Sequence, residues 1–226
     1  VTVLLVMAKA PVPGAVKTRL CPPATPGQAA RIAAAALRDT LDAVRAVPGV
    51  TPVLAVSGRL ADGEDGAGLT AALTGWTVLP QRGRDLADRI ANAHADVAAA
   101  WPGQPVLQIG MDTPQVTAGH LLAAFQRLDL ADAVLGRAVD GGWWALGLRD
   151  PRQADALRAV PMSTPETGEC TWSALDRRGL RTLTLPVLRD ADTWPDALAV
   201  AAEAPDTRFA YQISALHPTL VPGGHR

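Results

Sequence analysis

Lys9, Lys17 and Arg19 crowd a short stretch that also holds Pro11, Pro13, Gly14 and Thr18, running Ala8-Lys9-Ala10-Pro11-Val12-Pro13-Gly14-Ala15-Val16-Lys17-Thr18-Arg19-Leu20. Proline narrows the conformations open to a chain and glycine admits backbone angles that other residues resist. A stretch so built can hold a fixed turn with its N–H groups facing outward. Such a turn binds anions. Lys17 adds a point charge, Arg19 a bidentate fork and Thr18 a neutral donor, a set suited to phosphate oxygens. The plainer alternative is a solvated basic turn, since surface cations are ordinary. The stretch fits neither the Walker A pattern nor the GxGxxG fingerprint, which argues against a P-loop kinase and a Rossmann dehydrogenase.

The complementary charge lies elsewhere in the chain. Pro105-Val106-Leu107-Gln108-Ile109-Gly110-Met111-Asp112-Thr113-Pro114 reads as a buried strand ending in an aspartate, which the following proline forces out of helical geometry. Leu188-Arg189-Asp190-Ala191-Asp192-Thr193 places two carboxylates one residue apart, and alternate side chains of extended chain share a face. Asp190 and Asp192 can therefore converge on one cation, and hard oxygen donors select Mg²⁺ or Mn²⁺ over zinc. Plainer work is open to each acid. Asp192 could cap the helix beginning near Trp194, and Asp112 could serve an Asx turn.

Two further segments carry chemistry. In Val139-Asp140-Gly141-Gly142-Trp143-Trp144 the paired glycines let backbone approach a ligand and the aromatic rings can stack on it, so Gly141, Gly142 and Trp143 are candidate substrate contacts. A tight hairpin is the alternative, because Asp-Gly is a strong turn signal. Gln81-Arg82-Gly83-Arg84-Asp85-Leu86 follows a strand and opens a helix; it is placed to line a base or ribose pocket, unless Asp85 is simply an N-cap.

The elements that must position these residues alternate. Strands are expected at Val3 to Ala8, Thr51 to Ser57, Trp76 to Pro80, Pro105 to Gly110, Ala133 to Gly136, Trp143 to Leu148 and Arg181 to Pro186. Helices are expected at Gln28 to Ala46, Leu86 to Trp101, Thr117 to Leu128 and Pro195 to Glu203, with Thr117 and Thr193 as N-caps. Short β-branched runs alternating with Ala-rich helices imply crossovers on a mostly parallel sheet. In the first helix Ile32, Ala36, Leu37, Leu41 and Val44 form one apolar face, while Arg31, Arg38, Asp42 and Arg45 can face water. Gly58 to Gly68 reads as a mobile surface loop, and Ala204 to Arg226 as an extended tail or an arm on a partner. One domain over residues 1–204 with a tail over 205–226 is the simplest division.

The chain has 226 residues and a formal net charge of -1, so it carries no electrostatic footprint for nucleic acid or an anionic membrane. The apolar start, Val1 to Ala8, is far short of a membrane span and lacks the basic lead of a signal peptide, which places the protein in the cytoplasm. Cys21 and Cys170 form no CxxC pair and imply neither zinc nor a disulfide framework.

Taken together, Lys9-x-Pro11-x-x-Gly14-x-x-Lys17-Thr18-Arg19-Leu20, Gln81-x-Gly83-x-Asp85-Leu86-x-x-Arg89, Gly110-x-Asp112-x-Pro114, Leu135-Gly136 with Asp140-Gly141-Gly142, and Asp190-x-Asp192-Thr193 resemble the GT-A-like nucleotide-diphospho-sugar transferase superfamily. More narrowly they resemble a family of small bacterial transferases, often classed as glycosyltransferases and sometimes associated with radical-SAM gene neighbourhoods. The first loop and its helix are also similar to 2-phospholactate guanylyltransferases. Trp143-Trp144 departs from the tyrosines usual there, and Arg137 from a proline.

The resemblance implies a Rossmann-like GT-A three-layer α/β sandwich with a mostly parallel mixed sheet. It implies a nucleotide site at Lys9, Pro11, Gly14, Lys17, Thr18, Arg19, Gln81, Gly83, Asp85 and Arg89, and a Mg²⁺ or Mn²⁺ ion on Asp112, Asp190 and Asp192. Lys17 and Arg19 would then share the phosphate charge in catalysis, and Asp140 would contact the donor sugar or activate the acceptor. Glycosyl transfer from a nucleotide sugar to a small-molecule acceptor is the leading implication. Nucleotidyl transfer from an NTP to a phosphorylated metabolite is the alternative, and a non-catalytic nucleotide-binding module a third. A homodimer is left open.

Overall fold

Seven strands form the centre of the computed structural model, which describes residues 2–220. Strands β1 (Thr2–Lys9), β2 (Val50–Ser57), β3 (Thr77–Pro80), β4 (Val106–Ile109), β5 (Ala133–Ala138), β6 (Trp143–Leu148) and β7 (Thr182–Leu188) lie in the order β3-β2-β1-β4-β6-β5-β7. Strand β6 runs antiparallel to β4 and β5, and the other neighbouring pairs are parallel. This is the mostly parallel mixed sheet expected from the sequence.

Along β1, Leu4 and Val6 enter the core on one side of the sheet while Val3 and Leu5 enter the core on the other. A strand covered on both faces has no polar face to show, which is why it reads as an unbroken apolar run. The first side is covered by α1 (Pro26–Arg45), α2 (Gly66–Ala72) and α4 (Ala118–Leu128), through Leu37, Leu41, Leu69 and Leu121. The second is covered by α3 (Leu86–Ala100), a 3-10 segment over Pro151–Ala159 and α5 (Thr167–Arg177), through Ile90, Val97, Leu157 and Leu175. No helix of the described residues is long and apolar enough to cross a membrane.

Helix α1 starts at a full capping box: Gln28 N donates to Thr25 Oγ1 and Thr25 N donates to Gln28 Oε1. Its apolar residues divide between two neighbours. Leu37, Leu41 and Val44 face the sheet, whereas Ile32 and Ala36 join a third core with α6 (Trp194–Glu203) and α7 (Arg208–Leu220). The segment read as an aperiodic tail is thus largely helical, with Phe209, Ala210 and Ile213 buried against α1 and α6. Residues 221–226 of that tail, and Val1 of the apolar start, lie outside the described residues.

The stretch read as a mobile loop also has structure. Leu60–Asp62 forms a 3-10 turn, α2 begins at Gly66, and Glu64 N donates to Pro11 O at 3.0 Å, so the segment braces the cation-bearing loop. The topology then gathers the chemistry on one edge. Parallel β1, β4 and β7 all end there, delivering Lys17, Asp112 and Asp190. Because β6 runs the other way, the β5–β6 turn with Asp140 opens on the same edge.

Candidate functional site

Lys17 is the centre of the arrangement. Its backbone takes a left-handed conformation, φ 48°, where the loop turns into the 3-10 segment Thr18–Leu20. Its side chain is only 5% exposed, and Nζ lies 2.6 Å from Asp112 Oδ1 and 3.0 Å from Asp192 Oδ1. Nζ also donates to Ala191 O at 2.8 Å. An ammonium has three N–H donors, and three oxygens receive them. Burial pulls the Lys17 pKa down, but the charges of Asp112 and Asp192 outweigh it and hold the group above its ordinary value. Lys17 is therefore engaged as a clamp on carboxylates, where the sequence suggested a direct contact to phosphate. Arg19, with a side chain 67% exposed and 3.8 Å from Asp192, faces open space, as does Lys9 of the same loop.

The second acidic loop is tied to the first. Ala191 N donates to Asp112 O at 2.8 Å, and Ala191 is fully buried, so Asp190 and Asp192 flank an anchored residue in extended chain. Thr193, not Asp192, caps α6, since Asp196 N donates to Thr193 Oγ1. That leaves the Asp192 carboxylate to Lys17. Asp190 is half-buried, and burial first, then the charges of Asp140, Asp112 and Asp192, push its pKa up to about 8 against the smaller pull of Lys17.

The three carboxylates expected to hold a metal, Asp112, Asp190 and Asp192, line one cavity. Among the described residues no three His, Cys, Asp or Glu side chains form a ready cage for a metal ion. The physical reason is visible at Lys17: unscreened carboxylates repel, and the ammonium bonded to both Asp112 and Asp192 supplies the compensating charge. The donor set nevertheless fits a hard divalent cation. Its members are all oxygens, and burial first, then the neighbouring carboxylates, raise the Asp190 pKa, a cost that a bound cation would relieve.

Two cavities open beside these groups. The first, about 500 Å³, is lined by Lys9, Lys17, Thr18, Arg19, Gln81 and Arg89 among others. Gln81 is fixed there: its Nε2 donates to Ala8 O at 2.8 Å and to Ala55 O at 2.9 Å, which leaves Oε1 as an acceptor of set position. The second, about 510 Å³, includes Asp140, Gly142, Trp143, Asp190 and Gln108. The cavities are continuous, for both touch Met7, Arg19, Leu86, Asp112, Ser163 and Asp192.

Several expected contacts do other work. Pro11 is buried and receives Glu64 N, and Pro11, Gly14, Gly83 and Asp85 do not line either cavity. Asp85 is the N-cap of α3, accepting from Asp88 N at 2.9 Å. Asp140 lines the second cavity while its Oδ1 accepts from Gly142 N at 2.8 Å, so the turn reading and the site reading both apply to it. Gly141 packs on the loop before α5, where a Cβ would stand 1.9 Å from Pro165 O.

That loop was missed altogether. Met162, Ser163, Thr164, Pro165 and Thr167 form a wall of the second cavity. Ser163 holds φ 60°, and the wall is tied internally by Thr167 Oγ1 donating to Pro161 O at 2.8 Å. Strained non-glycine backbone collects at ligand sites, but it cannot be read from residue types. Gln108 was missed because it sits inside an apolar strand.

Residues 40–164 match the family described as "Uncharacterized protein conserved in bacteria (DUF2064)". No curated protein matches the chain. Among solved structures, a protein of Desulfovibrio desulfuricans G20 provisionally assigned as a nucleotide-diphospho-sugar transferase is 22% identical, with a TM-score of 0.84 over 96% of this chain and 95% of that one. Rv0371c of Mycobacterium tuberculosis H37Rv in complex with manganese is 19% identical, TM-score 0.54, over 88% and 98%. A CMP:2-keto-3-deoxy-manno-octonic acid synthetase complexed with CTP is 13% identical, TM-score 0.56, over 91% and 99%. At these identities the likeness is one of fold, and the fold is the GT-A-like one that the motifs resemble.

Proposed function

The chain belongs to the DUF2064 family, and on that footing we propose that it is a nucleotide-dependent transferase moving a glycosyl group from a nucleotide-diphospho-sugar to a small-molecule acceptor. One observation carries the reading. The cation-bearing loop after β1 and the carboxylates after β4 and β7 meet in one cleft at the carboxyl edge of the sheet, where open α/β sheets bind ligands.

The first cavity suits the nucleotide. Gln81 Oε1 is positioned to accept from a base N–H, and Arg19 and Arg89 offer forks to the phosphates, with Lys9 and Thr18 beside them. Lys17 is a positioning residue that sets the spacing of Asp112 and Asp192. Asp112, Asp190 and Asp192 would hold Mg²⁺ or Mn²⁺, which when bound supplies the charge neutralisation that a departing nucleoside diphosphate needs. The manganese complex of the Rv0371c fold supports that assignment. Asp140, with Gly142 and Trp143, faces the group beyond the phosphates and is placed to accept a proton from a hydroxyl.

Nucleotidyl transfer is the second reading, favoured by the shared fold of the CTP-bound synthetase. Incubation with Mn²⁺ or Mg²⁺, each NTP and each common nucleotide sugar separates the two. Release of nucleoside diphosphate from a nucleotide sugar supports glycosyl transfer. Pyrophosphate released from an NTP only when a phosphorylated metabolite is added defeats it.

A further inference from the structure

Three oxygens surround Lys17 Nζ: Asp112 Oδ1 at 2.6 Å, Asp192 Oδ1 at 3.0 Å and Ala191 O at 2.8 Å. Two of them belong to carboxylates that the transferase reading gives to a divalent ion. A shell of oxygens is what a hard cation takes, and here a cation of the protein already takes it. An ion on the same pair of carboxylates would stand close to the ammonium, and like charges on shared ligands repel. The Lys17 clamp and a tightly held ion on Asp112 and Asp192 therefore exclude each other.

The acidic frame does not need Lys17 to keep its shape. Ala191 N donates to Asp112 O at 2.8 Å and Gln115 Nε2 donates to Arg189 O at 2.7 Å, so the loop after β7 is tied to the loop after β4 on either side of Asp190. Gln115 and Ala191 are both buried, which keeps water from competing for these bonds. The ammonium, by contrast, ends a flexible four-carbon stem, and Lys17 lines the first cavity beside Lys9, Thr18, Arg19 and Arg89. Turning into that cavity would strand two carboxylates and bring Lys17 among other cations, so the clamp is favoured. A diphosphate in the cavity reverses the balance, because it draws the ammonium while the freed carboxylates draw the ion.

We infer that Lys17 is a built-in counter-ion that a divalent cation replaces: it occupies the Asp112–Asp192 pair until the phosphates of a nucleotide draw it into the first cavity. The spacing that Lys17 sets is then inherited by the ion. Ion and nucleotide must each tighten the binding of the other by the same factor. The inference rests on the nucleotide and metal assignments above and adds the exchange that couples them.

The competition is read without nucleotide, by titrating the full chain with Mn²⁺ and following the free ion by EPR. Lys17→Met keeps an unbranched side chain and removes its charge, so it should bind Mn²⁺ roughly tenfold or more tighter than the parent. A clamp that only shapes the acidic pair would give the opposite, a loss of affinity. Adding Asp192→Asn to Lys17→Met should undo the gain, and a gain that survives it overturns the exchange. Equal or weaker binding by Lys17→Met also overturns it, while leaving the metal reading in place. Mn²⁺ ignored by both proteins, with and without nucleotide, sinks the metal reading as well. A second measurement needs no variant to fold. The chain has two lysines, and Lys9, which also lines the first cavity, reports the nucleotide. In ¹³Cε-lysine NMR of the parent, Mg²⁺ with ADP, CDP, GDP or UDP should move the Lys17 signal, and Mg²⁺ alone at the same concentration should leave it in place. A Lys9 signal that answers the pair while Lys17 stays still overturns the exchange, and so does a Lys17 signal that moves equally with Mg²⁺ alone. Silence of both lysines to all four diphosphates sinks the nucleotide assignment, and the Mn²⁺ comparison then decides the competition by itself.

Discussion

Lys17 Nζ lies 2.6 Å from Asp112 Oδ1, joining the loop after β1 to the loop after β4 through a side chain almost closed to solvent. A phosphate ligand and a metal ligand, as the sequence divides them, are here partners in one ion pair. Part of the charge that balances the acidic cluster therefore comes from within the protein.

Removing Lys17 should cost stability before it costs chemistry. Breaking a buried ion pair typically costs ~3–5 kcal/mol, but Asp112 and Asp192 are 48% and 35% exposed, so about 1–3 kcal/mol is expected for Lys17→Met. The double variant Lys17→Met/Asp192→Asn should recover part of that loss, because one stranded carboxylate is gone. Urea unfolding midpoints measure both, and a single variant as stable as the parent would show that the clamp is idle.

Asp190→Asn should stabilise the metal-free protein. The folded-state pKa of Asp190, about 8, lies above its ordinary 3.8. Between those values the folded state binds the extra proton, so stability contributed by this group falls as pH rises from about 4 to about 8. The gain of the variant over the parent should grow across that window, to an order of 1–3 kcal/mol once partial solvent screening is allowed for. Thermal denaturation at pH 5 and pH 8 tests the trend. Added Mn²⁺ should reverse it by stabilising the parent more than the variant.

His94 should make the fold acid-sensitive. Burial, only partly opposed by the bond to Gln108, pushes its pKa down to about 4 from 6.5. The unfolded chain takes up a proton first as pH falls, so stability is full above 6.5 and drains between 6.5 and 4, by about 3 kcal/mol. The His94→Leu/Gln108→Leu double variant should lack that part of the slope in denaturant melts taken across the range. Parallel slopes would mean that His94 already carries a proton in the fold.

Two glycines with positive φ should respond unequally to alanine. Gly14, φ 77°, has nothing within 4 Å of a new Cβ, so only the left-handed backbone strain of ~1–2 kcal/mol applies. At Gly141, φ 92°, the new Cβ would stand 1.9 Å from Pro165 O, so the β5–β6 turn and the Ser163 loop must part. Overpacking adds ~1–3 kcal/mol to the strain. Thermal melts of both variants measure the difference, and a Gly141→Ala protein as stable as Gly14→Ala would refute the interlock.

By itself the sequence determined the layers and the sheet edge that gathers the charged residues. Apolar runs buried on both faces of the sheet, the caps Thr117 and Thr193, and acids placed just past β4 and β7 are local patterns, written in neighbouring residues. The helical stripe of Phe209, Ala210 and Ile213 was also there, but a short stripe after a proline-containing break is weak until α1 is seen to offer Ile32 and Ala36 as its counterpart. Only the tertiary structure decided how each charge is spent. Lys17 meets residues 174 and 175 positions away, Asp85 goes to a helix cap, and the Met162–Thr164 wall reaches the site through a loop with no motif. Ion pairs and cavity walls depend on distance in space, which residue order alone does not encode.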